Sequence, residues 1–87
     1  MGRLICDLDG TLCVQGTHEG YATAAPLVKM IDVVNVAFRD GWTVVIFTAR
    51  GMSTYLEARL ADRALRGLTE RWLRENGVLY HELIFGK

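Results

Sequence analysis

The chain has 87 residues, and its ten basic and ten acidic side chains balance to a formal net charge of zero. That length suits one small domain over residues 1–87, and a hydrophobic content of 51% is typical of a globular chain rather than a disordered one. No strongly basic composition indicates nucleic-acid binding, and no apolar stretch approaches the ~20 residues that cross a membrane.

The first predicted element is a buried parallel strand over residues 3–8, an almost uninterrupted apolar run. Two acids one residue apart, Asp7 and Asp9, end this run, and Gly10 and Thr11 follow at once. The pattern predicts a strand that ends in a carboxylate pair and a tight turn of the size that holds a phosphate group.

A loop or short flap over the acid pair is predicted for residues 13–25, which contain two glycines and no clear period. Cys6 lies in the first strand and Cys13 just after the acidic turn. Because a disulfide would constrain that turn, we expect two reduced thiols and a cytoplasmic protein.

A helix is predicted next, with Pro26 in its first turn. Apolar side chains recur at three- and four-residue steps from Leu27 to Phe38, so this stripe should face the core. Gly41 is expected to end the helix. The β-branched and aromatic residues 42–47 then predict a second buried strand, which stops at Thr48.

The second helix is predicted to open at Thr54 and Glu57, which have the spacing of a capping box. Its inner side would carry Leu56, Leu60, Ala64 and Leu65. Gly67 is expected to break this helix, and a short helix from Thr69 would end at residues 76–77.

The third strand is predicted over residues 78–85, or over their second half alone, and Lys87 follows it. The order β-α-β-α-β predicts an α/β fold with parallel strands and right-handed crossovers. Active sites of such sheets lie beyond the carboxyl ends of the strands. Asp7 and Asp9 follow the first strand and Thr48 ends the second, so we expect them to converge with Lys87.

The acid pair suits phosphoryl transfer. Asp7 is the candidate nucleophile, because a carboxylate can attack phosphorus and form an acyl-phosphate. Asp9 could protonate the leaving oxygen and later deprotonate the attacking water. A divalent cation would offset the repulsion between these carboxylates and a phosphate, and Mg²⁺ prefers such oxygen ligands. Backbone amides of residues 8–11 could cradle the phosphate.

At Asp7-Leu8-Asp9-Gly10-Thr11 the sequence resembles the haloacid dehalogenase superfamily, whose first motif is an apolar strand followed by Asp-x-Asp-Gly-Thr. The segment at Thr48 resembles the second motif, and Lys87 resembles the third. The chain looks most similar to small capless members, several of which are linked to capsular polysaccharide biosynthesis. The resemblance implies a three-layer Rossmann-like core and a Mg²⁺-dependent phosphatase that acts through an aspartyl-phosphate. The implied substrate is a phosphosugar or another small phosphate ester.

The resemblance also implies the site residues. Asp7, Asp9, Thr48 and Lys87 would be catalytic, and Asp7 and Asp9 would hold the metal. The residues expected at the phosphate are Leu8, Gly10, Thr11, Thr48, Ala49, Arg50 and Lys87. Two readings of Arg50 stay open: it reaches the phosphate or substrate, or it only covers the end of the strand.

The sequence departs from the superfamily at the fourth motif, an acidic pair that supplies a metal ligand, which has no counterpart here. Two right-handed crossovers in the order 1-2-3 place both helices on one face of the sheet, yet all three strands are apolar on both sides. We therefore expect a domain truncated after its third strand, with the other face covered by a C-terminal continuation, a second copy or a domain swap. A non-catalytic phosphate-binding or regulatory module without a complete metal site is the alternative to the phosphatase.

Overall fold

The computed structural model describes residues 2–16 and 18–87. Three parallel strands form one sheet in the order β1-β2-β3: β1 (Arg3–Cys6), β2 (Thr43–Thr48) and β3 (Glu82–Phe85). The helical elements are a 3-10 helix (His18–Thr23), α1 (Val28–Arg39), the short α2 (Met52–Tyr55) and α3 (Ala58–Glu75). The predicted α/β order and parallel sheet are confirmed. β1 stops before the acid pair, and β3 is the second half of the predicted segment.

The strand register places the three carboxyl ends at one edge of the sheet. Cys6 pairs with Ile46, which pairs in turn with Leu83, and Thr48 pairs with Phe85. Neighbouring strands lie about 5 Å apart, so the residues that leave β1 and β3 start on either side of the end of β2.

The core lies between the sheet and the helices. Its sheet residues include Cys6, Val44, Ile46, Leu83 and Phe85, and its helical residues include Ile31, Val34, Ala61, Leu65, Trp72 and Leu73. Because side chains alternate along a strand, the residues between these positions point to the opposite face. Ile5 on that face is 60% exposed and Ile84 is 39% exposed, whereas Val45 on the central strand is buried. The expected uncovered apolar face is therefore most exposed on the two outer strands, and Phe47 on the central strand is half-buried.

Helix α1 begins one residue after its N-cap, Leu27, and so starts later than predicted. Pro26 is outside the first turn and instead forms an isolated antiparallel bridge with Cys13. The prediction that Gly41 ends this helix is confirmed, because Gly41 follows the C-cap with a φ of 93°. The predicted apolar stripe is only partly in the core: Ile31 is buried, but Leu27 is exposed.

The capping-box prediction for the second helix is wrong. Thr54 lies inside α2, and Glu57 is itself the N-cap of α3 without a side-chain cap hydrogen bond. Between these helices Leu56 adopts a left-handed backbone conformation with a φ of 64°. This turn sends the Leu56 side chain outward, where it is 77% exposed instead of lying on the inner side of the helix.

Helix α3 is continuous, so the predicted break at Gly67 is also wrong. A glycine in a helix interior costs about 1 kcal/mol relative to alanine, and the buried residues on both sides of it offset that cost. The buried positions are Ala61, Leu65, Thr69, Trp72 and Leu73, so Leu60 and Ala64 are not central to the packed stripe. The helix ends at the predicted place, with Asn76 as C-cap and Gly77 at a φ of 68°. Across the described ranges, no helix is long and apolar enough to cross a membrane.

Candidate active site

The side chains that follow β1 and β3 form an ion pair. The Nζ atom of Lys87 lies 3.1 Å from Oδ2 of Asp7, and both side chains are partly exposed. The other carboxylate oxygen of Asp7 accepts a hydrogen bond from the Leu8 N–H at 2.8 Å. Residues 80 positions apart in the chain are thus brought together at the strand ends, as the sequence predicted.

The end of β3 is fastened to the end of β2. The N–H groups of Gly86 and Lys87 both donate to the carbonyl oxygen of Thr48, at 3.1 and 3.2 Å. Gly86 has a φ of 102°, and a Cβ atom there would lie only 2.6 Å from Cβ of Ala58. Glycine is therefore needed to turn the chain so that Lys87 faces Asp7.

Thr48 is fully buried at the end of β2. Its hydroxyl oxygen accepts a hydrogen bond from the Arg50 N–H at 3.1 Å, which shapes the turn after the strand. The predicted convergence of the strand ends includes this residue, but its side chain lies on the core side of the sheet. A direct contact between its hydroxyl and a phosphate stays a prediction.

Asp9 and Arg50 form a bidentate ion pair. Nε of Arg50 donates to Oδ2 of Asp9 at 2.9 Å, and Nη2 donates to Oδ1 at 3.1 Å. The arginine side chain is completely buried, and that of Asp9 is 11% exposed. Nη1 donates to Oγ1 of Thr69 on α3 at 3.3 Å, and the guanidinium carbon lies 4.5 Å from the ring centroid of Tyr21.

The loop after Asp7 uses several of its amides internally. The Gly10 N–H donates to the carbonyl oxygen of Cys13 at 2.8 Å, and the Thr11 N–H donates to that of Leu8 at 3.1 Å. Gly10 has a φ of 85°, as a tight turn requires. The proposed roles of Leu8, Gly10 and Thr11 as phosphate donors stay predictions, and they require these bonds to exchange for bonds to the ligand.

A cavity of about 130 Å³ opens between the acid pair and the predicted flap. Its lining residues are Asp7, Asp9, Gln15, Tyr21, Ala49 and Arg50. The 3-10 helix brings Tyr21 to this cavity, and the Tyr21 hydroxyl accepts a hydrogen bond from the Gly51 N–H at 3.4 Å. Nε1 of Trp72 donates to the carbonyl oxygen of Ala24 at 2.7 Å, so α3 fastens the C-terminal end of the flap.

Sequence reasoning missed three residues at this site: Gln15, Tyr21 and Thr69. Gln15 and Tyr21 lie in a segment without a period, which carries no signal for orientation. Thr69 could have been found from the sequence, because it occupies a buried position on the stripe of α3 that also contains Leu65 and Trp72. A buried hydroxyl needs a hydrogen-bond partner, and Arg50 supplies it.

Both cysteines are free thiols, as the sequence predicted. Burial raises the pKa of Cys13 to about 11, and its hydrogen bond to Asp9 adds to the shift. Burial likewise raises the pKa of Cys6. The Cys13 Sγ atom donates to Oδ1 of Asp9 at 3.3 Å. The thiols are therefore neutral near pH 7 and are poor nucleophiles, because the thiolate is the reactive form.

Mg²⁺ prefers oxygen ligands, which it takes from one or two carboxylates together with phosphate and water. The acid pair offers such carboxylates. Asp7 and Asp9 both line the cavity. Asp9 has both oxygens engaged by Arg50, so Asp7 is the more available of the two. Among the residues that the structure describes, no group of three His, Cys, Asp or Glu side chains could hold a metal ion. The donor set fits a magnesium ion that relies on its phosphate ligand and water for the remaining positions.

Comparisons with known proteins place the chain among phosphatase folds. Neither protein-family models nor curated proteins gave a match. A crystal structure from Vibrio cholerae is 33% identical, with a TM-score of 0.91 over all of this chain and 71% of that one. A putative HAD-like phosphatase from Mesorhizobium loti is 26% identical, with a TM-score of 0.70 over 98% of this chain and 42% of that one. The D,D-heptose 1,7-bisphosphate phosphatase of B. bronchiseptica, solved with magnesium and phosphate, is 18% identical, with a TM-score of 0.63 over 99% of this chain and 50% of that one.

Proposed function

We propose that this chain, which belongs to the same family as the Vibrio cholerae protein and has the fold of HAD-like phosphatases, hydrolyses phosphate monoesters through an aspartyl-phosphate on Asp7. The observation that carries the proposal is the pairing of the Asp7 carboxylate with the Lys87 ammonium, 3.1 Å apart, beside a cavity that Asp9 also lines. The fold neighbours that are phosphatases support a phosphatase-type function, and the two named ones are about twice as long as this chain or longer.

In the first step, a carboxylate oxygen of Asp7 attacks phosphorus while the bond from phosphorus to the leaving oxygen breaks. The Asp9 carboxylate, which pairs with Arg50 in the free protein, must first take up a proton from solvent, and it then gives this proton to the leaving oxygen. In the second step, Asp9 takes a proton from water as the water attacks the phosphorus, and the bond to Asp7 breaks to release inorganic phosphate. The Lys87 ammonium holds the Asp7 carboxylate in place and offsets the negative charge that gathers beside it.

A bound Mg²⁺ would supply charge neutralisation between the phosphate and the acid pair. Asp7 would hold it, with Asp9 as a further ligand only if its contact with Arg50 loosens. Magnesium in the Bordetella neighbour supports this choice of ion. A small phosphate ester, such as a phosphosugar, suits a cavity of about 130 Å³ that receives the phosphoryl group and leaves the rest of the substrate outside. A role in capsular polysaccharide biosynthesis and a cytoplasmic location remain part of the proposal.

The test is hydrolysis of p-nitrophenyl phosphate in the presence and absence of magnesium. Asp7→Asn should abolish turnover, because the amide is a poor nucleophile of nearly the same shape. Asp32→Asn is the matched control, since Asp32 is an exposed acid on α1 that does not line the cavity. Equal rates for native protein and Asp7→Asn would rule the proposal out.

A phosphate-binding module without turnover is the second candidate. It is favoured by the lack of a three-ligand metal group among the described residues and by the internal bonds of the Gly10 and Thr11 amides. Calorimetric titration with inorganic phosphate separates the two functions. Binding that Lys87→Met weakens, in a protein that hydrolyses no ester, would favour the module.

A further inference from the structure

We propose that Arg50 is a positioning residue that fixes the Asp9 carboxylate for proton transfer and does not bind the phosphate. The inference rests on the proposed function, because it assigns Arg50 a part in that reaction. The sequence left two readings of Arg50 open, and the structure adds a contact that neither of them includes. Its Nε and Nη2 atoms both point at Asp9, at 2.9 and 3.1 Å.

Arg50 is held from several sides, so its direction is fixed. Oγ1 of Thr69 accepts from Nη1, and the Tyr21 ring covers the guanidinium at 4.5 Å from its centroid. The backbone N–H of Arg50 donates to the Thr48 hydroxyl. With a fully buried side chain, these contacts leave the guanidinium little freedom to turn toward a ligand. A bidentate fork fixes a carboxylate in both position and plane, which a lysine ammonium cannot do.

The distribution of donors on Asp9 singles out one oxygen. Oδ1 accepts from Nη2 of Arg50 and from the Cys13 thiol, at 3.1 and 3.3 Å. Oδ2 accepts from Nε of Arg50 alone among the described donors. Since each carboxylate oxygen has two lone pairs, Oδ2 keeps one that can carry a proton. We therefore assign proton transfer to Oδ2: it gives a proton to the leaving oxygen and later takes one from the attacking water.

The role can be tested through the acidity of the leaving group. Departure of phenol from phenyl phosphate needs a proton, whereas 2,4-dinitrophenolate leaves without one. The value of kcat/KM reports the steps up to formation of the aspartyl-phosphate, so the later attack by water does not affect it. General acid catalysis contributes about 10²–10⁴-fold. Asp9→Asn should therefore lower kcat/KM far more for phenyl phosphate than for 2,4-dinitrophenyl phosphate.

Arg50→Lys keeps the charge and removes the fork, and it should reproduce the selective loss of Asp9→Asn at about 10-fold or more for phenyl phosphate. Thr69→Val, a milder variant that leaves the Asp9 contacts in place, should show the same selectivity with a smaller loss, and Thr69→Ser should restore the native ratio. Arg66→Lys is the matched control, because Arg66 makes a similar bidentate pair with Asp62 on the surface of α3. The ratio of kcat/KM for phenyl phosphate to kcat/KM for 2,4-dinitrophenyl phosphate should be the same in Arg66→Lys as in the native protein.

Equal losses on both substrates in Arg50→Lys and Thr69→Val would overturn the inference and indicate a merely structural role. Weaker inhibition by inorganic phosphate in Arg50→Lys, with an unchanged substrate ratio, would instead assign Arg50 to the phosphate and would also overturn it. If native protein and Asp9→Asn differ in the expected way and Arg50→Lys does not, only the inference falls. If the native protein hydrolyses neither ester, the inference falls together with the proposed function.

Discussion

Removing the charge of Asp9 should take away a large part of the stability of the domain. Asp9→Asn leaves the guanidinium of Arg50, whose side chain is completely buried, without an anion. Loss of one partner from a buried ion pair costs about 3–5 kcal/mol, and the 11% exposure of the Asp9 side chain puts the expected loss at the lower end of that range. A domain of 87 residues has a free energy of unfolding of roughly 4–13 kcal/mol. The substitution should therefore remove between a quarter and three quarters of it.

Urea unfolding followed by far-ultraviolet circular dichroism measures this loss. With a slope of about 1.5 kcal/mol per molar urea, the midpoint should fall by about 2 M. The double substitution Asp9→Leu with Arg50→Met removes both charges and should recover most of the loss. Arg59→Met breaks a pair with Glu57 that is exposed on both sides, and it should cost less than about 1 kcal/mol. A loss in Asp9→Asn no greater than that in Arg59→Met would refute the reasoning.

Three further predictions concern separate parts of the molecule. Lys87→Met should lower kcat/KM for p-nitrophenyl phosphate by about 10²-fold, because the cation beside the nucleophile is lost; steady-state kinetics with an unchanged melting temperature would establish this. Asn35→Leu removes the bonds to the Gly77 carbonyl and the Leu79 N–H, both 2.8 Å, and should cost about 2–4 kcal/mol, seen as a drop in Tm of roughly 10–20 °C. Between pH 9 and about 11 the thiol of Cys13 ionises in the unfolded chain and stays neutral in the folded one, because burial raises its pKa. The free energy of unfolding should fall as pH rises through this window. The fall should be smaller in Cys13→Ala, where only other groups with a raised pKa such as Cys6 remain, and a fall as large as in the native protein would contradict the assignment.

The strands and their ends could be predicted from the sequence because each rests on local composition. The apolar run before Asp7 and the β-branched run before Thr48 each predict a buried strand. Because the two strands are parallel, their carboxyl ends lie side by side. Lys87 followed from the same reasoning, and its ammonium does lie beside Asp7. Topology therefore predicted that Asp7 and Lys87 meet.

The direction of individual side chains could not be predicted in this way. The partner of Arg50 lies 41 positions earlier in the chain, and only the turn after β2 decides that the guanidinium pairs with Asp9. Local signals also misled where the backbone departs from regular geometry. The spacing of Thr54 and Glu57 fits a capping box, but the left-handed conformation at Leu56 separates them into two helices.

The hydrogen bond from the Trp72 indole to the Ala24 carbonyl gives the protein an intrinsic spectroscopic probe. The chain has only two tryptophans. The other, Trp42, is exposed and directly precedes the N-terminal end of β2, at the opposite end of the sheet from the candidate site. With Trp42→Phe, all indole emission would come from a ring whose N–H donates to the C-terminal end of the flap. Loss of that bond would shift the emission wavelength, so movement of the flap could be followed in real time without a label.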